Sequence, residues 1–185
     1  MNTVDTIRDP HVVARVCEEA RKLGEQPYML MRVGFNTGLR ISDILKLRVR
    51  DIRAEQIRLK EQKTGYAQMI ELHPAVRAEL MRMTAKKGED ELLFPSPQIT
   101  KGRKPIGYTT AYGWINKAAR RAGLTGPIGC HTMRKAFGYR YYIVSGGDVA
   151  LLMKRFGHTD QTVTLRYIGV EQDRINAIGR KINLG

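Results

Sequence analysis

Ile57-Arg58-Leu59-Lys60-Glu61-Gln62-Lys63-Thr64-Gly65-Tyr66-Ala67-Gln68-Met69-Ile70-Glu71-Leu72 is the stretch of this 185-residue sequence in which the hydrophobic period changes. Ile57 and Leu59 alternate with polar residues, Lys63-Thr64-Gly65-Tyr66 supplies turn chemistry, and Met69-Ile70-Glu71-Leu72 resumes an extended pattern. The reading is a small antiparallel sheet, with Lys63 at or near the hairpin tip and extended structure expected between Val49 and Leu72.

Outward from the hairpin the period is helical. Upstream, Asp9-Pro10 reads as an N-cap and first helical residue, followed by Val12, Val13, Val16 and Ala20 at helical spacing. A second helix from Pro27 ends at Thr37-Gly38, where glycine can take the left-handed conformation. Ser42 is the expected cap of a short helix carrying Ile44, Leu45 and Leu47. Downstream, helices are expected at about Ala75 to Lys86, Thr109 to Arg121, His131 to Val144, Asp148 to Phe156 and Asp160 to Tyr167, with Thr159 as a cap. A last segment, Glu171 to Ile182, carries Ile175, Ile178 and Ile182 on one stripe. The fold class is therefore mainly α with a small antiparallel β-sheet inserted near the N-terminal third (α+β). The length suits one domain over residues 1–185, of which 170–185 form a tail.

Charge narrows the function. Lys and Arg number 32 against 18 Asp and Glu, a formal +14 with a pI near 10.1. Met1 to Pro95 carries a net +3 and Ser96 to Gly185 a net +11, so a polyanionic partner should meet mainly the second half. Cys17 and Cys130 have no Cys-x-x-Cys companion, which argues against a disulfide framework or a thiolate zinc site and for a cytoplasmic setting. No apolar run approaches the roughly 18 to 20 residues of a membrane span.

Several chemistries lack their residues. No phosphate-binding Gly-x-x-x-x-Gly-Lys-Ser/Thr loop and no Gly-x-Gly-x-x-Gly appears, so no nucleotide cofactor is expected. His11, His73, His131 and His158 do not fall at zinc-ligand spacings, and the basic half holds only Asp148, Asp160, Glu171 and Asp173 for metal ions. Chemistry on a phosphodiester would have to proceed without metal or other cofactor. His131-Thr-Met-Arg134 suits that task, because an i, i+3 pair sets imidazole and guanidinium on one helix face. Gly157-His158 precedes Tyr167 by a contour of about 14 Å if helical, so both can line one cleft. Thr37-Gly-Leu-Arg40 puts an arginine at a tight joint, with Asp43 expected to orient it.

Thr37-Gly38-Leu39-Arg40, the hairpin Lys63-Thr64-Gly65, His131-x-x-Arg134, Gly157-His158 and Tyr167, in this order, resemble the catalytic domain of the tyrosine recombinases, the phage-integrase family. The resemblance covers nearly the whole chain. Lys135 stands where many members carry another histidine, and Tyr66 where a basic residue is common. Members usually carry an N-terminal helical domain that closes over the DNA, and the residues before Asp9 do not supply it. The expectation is an isolated catalytic domain or a naturally short relative.

The resemblance implies cleavage and rejoining of double-stranded DNA through a 3′-phosphotyrosyl link. Arg40 and Arg134 would clamp the nonbridging oxygens through paired donors, and His158 would add another. His131 would act as general base or positioner. Lys63, with Lys60 as a rival, would protonate the departing 5′ oxygen. Tyr167 would be the nucleophile; Tyr139, Tyr141 and Tyr142 read as packing or DNA-backbone residues. An ordinary phenol, with a pKa near 10, is ionised about one part in a thousand at pH 7, a penalty of about 4 kcal/mol that neighbouring cations offset. Lys135, Arg140 and Arg166 are candidate DNA contacts. A homo-oligomer, a tetramer on DNA, is implied, with the isoleucine stripe docking either on its own domain or on a neighbour. A type IB topoisomerase-like relaxing enzyme and a non-catalytic DNA-binding regulator stay open as alternatives. Trp114 reads as core and His73 as structural.

Overall fold

The Asp9 carboxylate accepts the His11 N–H at 2.8 Å and Pro10 follows, so helix α1 (Pro10–Arg21) starts where cap and proline dictate. The computed structural model describes residues 4–62, 65–97 and 104–183. Its contacts divide the chain into two compact units, one up to Phe137 and one from Gly138 onward.

In the first unit α2 (Glu25–Thr37) is the central element. Tyr28, Met29, Leu30, Met31, Val33 and Phe35 are all buried, so the helix is apolar around its circumference and packs against α1, α5 (Pro74–Met83) and α6 (Tyr108–Arg121). Glu79 of α5 fastens this arrangement by accepting from Tyr28 Oη at 2.5 Å, Arg32 Nε at 2.7 Å and Arg21 Nη2 at 3.3 Å. The α2 helix starts two residues before Pro27 and ends at Gly38, whose φ of 63° lies in the left-handed region. Trp114 packs half-buried against the same core, and the His73 ring caps α5 by accepting the Ala75 N–H at 3.3 Å.

Several local expectations shift. Ser42 lies inside α3 (Ile41–Ile44); the capping position is Arg40, which makes no side-chain cap bond. Val49–Arg53 forms a short helix, α4, because Asp51 turns back to accept the Arg48 N–H at 2.7 Å and favours a helical start over a strand. Extended structure begins at β1 (Ile57–Lys60), which pairs antiparallel with β2 (Ala67–Ile70) in the register Ile57 to Ile70 and Lys60 to Ala67. The helix expected to reach Lys86 stops at Met83, with Thr84 turning its hydroxyl onto the Leu80 carbonyl.

Helix α7 (Cys130–Val144) begins in the first unit and continues into the second. Thr132 Oγ1 accepts the Gly129 N–H at 3.1 Å and fixes its start. Its first half seats on α2 through two glycines one turn apart. A Cβ on Gly34 would lie 2.4 Å from Met133 Sδ, and one on Gly38 would lie 2.3 Å from the Phe137 ring. The N-terminal segment is tied down by the Asp5 N–H on the Pro127 carbonyl at 2.7 Å.

The second unit comprises the remainder of α7, α8 (Val149–Phe156), α9 (Gln161–Ile168) and α10 (Val170–Gly179). Asp148 caps α8 through the Leu151 N–H at 3.0 Å. Asp160, not Thr159, caps α9 through the Val163 N–H at 2.8 Å, since Asp160 is the residue immediately before the helix and its carboxylate reaches the third residue of the turn. Leu152, Phe156, Leu165 and Ile168 form the buried centre, and Gly138 lets the Phe156 ring and Ile168 approach its backbone. Ile175, Ile178 and Ile182 are 57%, 63% and 62% exposed. Among the described residues no helix is long and apolar enough to cross a membrane.

Gly38→Ala adds a left-handed backbone penalty of roughly 1–2 kcal/mol to a clash of roughly 1–3 kcal/mol with Phe137. A loss of about 2–4 kcal/mol is expected in urea unfolding. Gly113→Ala, in open space on α6, is expected to stabilise by about 0.5–1 kcal/mol.

Candidate active site

The left-handed turn at Gly38 reverses the chain sharply and leaves Arg40 extended (φ −68°, ψ 146°) at the head of α3. Its guanidinium does not use Asp43, as spacing had suggested. Arg40 Nη1 instead pairs with Glu61 Oε2, at the end of β1. Asp43 Oδ1 accepts the Gln62 N–H at 3.1 Å, so the acid three residues after Arg40 holds the neighbouring backbone while Glu61 holds the cation. Arg134 lies one turn beyond His131 on α7. Its Nη1 donates to the Gly38 carbonyl at 2.7 Å and stands 3.7 Å from Glu61 Oε1.

Two guanidiniums thus meet one carboxylate. The Glu61 side chain is wholly buried, Arg134 is 3% exposed and Arg40 16%. Gln68 Nε2, from β2, donates to Glu61 Oε1 at 2.6 Å. Sequence reasoning missed Glu61, although the signal was present. The alternation that turns Ile57 and Leu59 inward also turns residue 61 inward, and a charged side chain at that position needs buried partners. His131 is exposed at the first turn of α7. Lys63 lies outside the described residues; Lys60, its rival, is exposed at the end of β1.

In the second unit, Gly157 takes a left-handed φ of 62° and the His158 N–H reaches back to the Met153 carbonyl at 2.9 Å. That pair of features closes α8 and aims the imidazole. His158 Nδ1 lies 3.1 Å from Thr164 Oγ1, and the Thr164 hydroxyl donates to the Asp160 carbonyl at 2.7 Å. Because the hydroxyl proton is already committed, Nδ1 must be the donor, which fixes the tautomer. Thr164 is a second residue that sequence reasoning did not single out. Tyr167, half-buried near the end of α9, meets the His158 ring edge-on with centroids 5.7 Å apart and the Phe156 ring at 5.9 Å.

The three candidate DNA contacts differ in placement. Lys135 is buried, and its ammonium donates to the Val4 carbonyl at 2.8 Å, so its charge is turned toward the N-terminal segment. Burial pulls its pKa below the usual lysine value, with Asp5 opposing. Arg140 is exposed. Arg166 is also exposed and pairs with Glu171 at 3.0 Å. Both cysteines are buried, and burial pushes the Cys17 thiol up to about 11 and raises that of Cys130, so neither offers a thiolate near neutrality. No cluster of three potential metal ligands occurs among the described residues.

These arrangements can bind an oxyanion with planar donors in the first unit and present an oriented imidazole beside a phenol in the second. A family model described as the phage integrase family matches residues 9–174. The chain is 34% identical over 178 residues to the probable integrase/recombinase YoeC of Bacillus subtilis, covering 96% of each protein. It is 28% identical over 160 residues to the tyrosine recombinase XerD of Corynebacterium glutamicum, covering 82% of this chain and 50% of that one. By fold it resembles the XerH site-specific recombinase on a palindromic difH substrate, with TM-score 0.77 and 19% identity over 96% of this chain and 53% of that one. The XerA recombinase is similar at TM-score 0.73 and 16% identity, over 98% of this chain and 64% of that one. The chain belongs to the phage integrase family, the tyrosine recombinases, enzymes of DNA recombination.

Proposed function

We propose that the chain catalyses site-specific exchange of double-stranded DNA, by metal-independent cleavage and rejoining through a 3′-phosphotyrosyl intermediate. The observation that carries this reading is the convergence of Arg40 and Arg134 on one buried carboxylate, since planar guanidiniums held together are a ready receptor for a phosphodiester. Charge on the nonbridging oxygens grows in the transition state, and fixed donors stabilise it without reorganising at that moment. Tyr167 Oη attacks phosphorus, the P–O5′ bond breaks, and the 5′ oxygen leaves with a proton supplied by Lys63. His131 serves as base or positioner. The phosphotyrosyl ester retains the energy of the broken diester, so a second 5′ hydroxyl displaces the tyrosine and reseals the strand.

His158 donates to a nonbridging oxygen through Nε2, which carries a proton together with Nδ1 only in the imidazolium form. Thr164 acts through His158 by accepting from Nδ1. DNA is the partner named in several similar structures, including a lambda integrase dimer on a core site and a tetramer on a Holliday junction. For this chain the exposed isoleucine stripe of the tail favours docking on a neighbouring protomer in a tetramer.

Nicked suicide duplexes of random sequence, selected for covalent capture by the full chain, are expected to give a denaturation-resistant adduct that chelator leaves unchanged and Tyr167→Phe abolishes. An adduct persisting in that variant would move the nucleophile elsewhere. Thr164→Val is expected to slow adduct formation about 10- to 100-fold at saturating DNA, with Thr164→Ser close to the parent, as for partners that orient a ligand-bearing histidine. Truncation after Val170 is expected to abolish cooperative assembly in gel shifts; cooperativity equal to the full chain would rule out docking in trans.

A further inference from the structure

Glu61 is a costly residue. It stands where the alternation of β1 calls for an apolar side chain, and its carboxylate is wholly buried. An ion pair so placed is often no more stable than a packed apolar replacement, so stability alone does not account for it. Its contacts do. One oxygen takes Arg40; the other accepts from Gln68 and faces Arg134 at 3.7 Å. Its backbone is equally committed, because the Glu61 N–H donates to the Tyr66 carbonyl at 2.9 Å and its carbonyl accepts the Gly65 N–H at 2.8 Å. Glu61 therefore closes the base of the hairpin with its main chain while gripping both arginines with its side chain. The adjoining Gln62 N–H is held by Asp43, the third residue of the helix that Arg40 precedes, so hairpin and arginine joint are tied at two points.

We infer that Glu61 is a positioning residue for strand cleavage. It offsets the repulsion between Arg40 and Arg134, fixes the direction of both guanidinium planes before DNA arrives, and registers the hairpin against them. The inference rests on the proposed phosphodiester chemistry. The competing role, a carboxylate that occupies the place of the phosphate and must be displaced, has the opposite signature. Complete burial of Glu61 against 16% exposure of Arg40 favours support from beneath, with Arg40 on the accessible side.

Three measurements on the full chain test this. The first is the single-turnover rate of adduct formation at saturating suicide duplex, using a sequence captured as above. The second is the dissociation constant of the same duplex in the Tyr167→Phe background. The third, without DNA, is hydrogen exchange at the Nε–H resonances of Arg40 and Arg134 in arginine-labelled protein, assigned by single Arg→Lys variants. Glu61→Gln keeps size and hydrogen bonding but removes the charge. It is expected to lower the cleavage rate about 10- to 100-fold, the range seen when an outer partner of a reacting group is lost, while the dissociation constant moves less than about threefold. Exchange at both arginines should accelerate. The swap Glu61→Gln with Gln68→Glu returns the carboxylate from the opposite strand and should recover part of the rate; Glu61→Asp, which keeps the charge at shorter reach, should fall between parent and Glu61→Gln and carries the test if Gln prevents folding. Unchanged rate and exchange would overturn the inference, and so would a joint rise in rate and affinity, which marks a displaced phosphate mimic. If the parent forms no adduct, the strand-transfer reading fails, while the exchange measurement still decides whether Glu61 holds the arginines.

Discussion

Two arginines can share one substrate only if something holds like charges side by side before the substrate arrives. Unit charges about 4 Å apart interact by about 4 kcal/mol in a setting typical of a protein surface, a repulsion comparable with a large share of a domain's stability. The first unit resolves this with a carboxylate between the cations and a scaffold that leaves them nowhere else to go. Gly34 and Gly38 open a seat on α2 for Met133 and Phe137, and that seat sets the rotation of α7 about its axis. With the rotation fixed, Arg134 meets the Gly38 carbonyl, and the same left-handed turn at Gly38 delivers Arg40. One glycine thus terminates a helix, admits an aromatic ring and accepts a catalytic candidate's hydrogen bond.

The second unit solves a simpler problem with local means. Three features that orient His158 lie within a few residues of it: the Gly157 reversal, the bond to Met153 and the Thr164 hydroxyl. The tautomer follows from a local contact, because the Asp160 carbonyl already takes the threonine proton. Positioning by short-range bonds is robust to changes elsewhere in the fold, whereas the arginine pair depends on a strand, two helices and a loop joint arriving together.

That difference explains what could be read in advance. The cap at Asp9, the stop at Gly38 and the hairpin after Ile57 are local, and composition plus period revealed them. Ser42 does not cap because it lies inside α3, whose capping position falls on Arg40 without a side-chain cap bond, and Thr159 gives way to Asp160, which offers its carboxylate to the turn it precedes. The partner of Arg40 was sought three residues away and lay twenty-one away, across a strand whose pairing decides which side chains turn inward. The alternation needed to find Glu61 was legible, but the reason to read a glutamate as buried appears only once the arginines are on the same side of the sheet. Lys135, a candidate DNA contact by sequence, is buried instead and donates to the Val4 carbonyl, which only the fold reveals.

These placements divide the formal charge of +14 into two kinds. Arg134 and Lys135 are inside, Arg40 is nearly so, and each is engaged by an acidic or carbonyl oxygen of the chain itself. Such cations contribute little to long-range attraction, because their fields are compensated nearby. An exposed group such as Arg140 is subject to screening and counterion release instead. On the strand-transfer reading, affinity for the DNA backbone and stabilisation of the reacting phosphate therefore belong to different residues. Salt would weaken the first steeply while leaving the second, once the complex is formed, almost untouched.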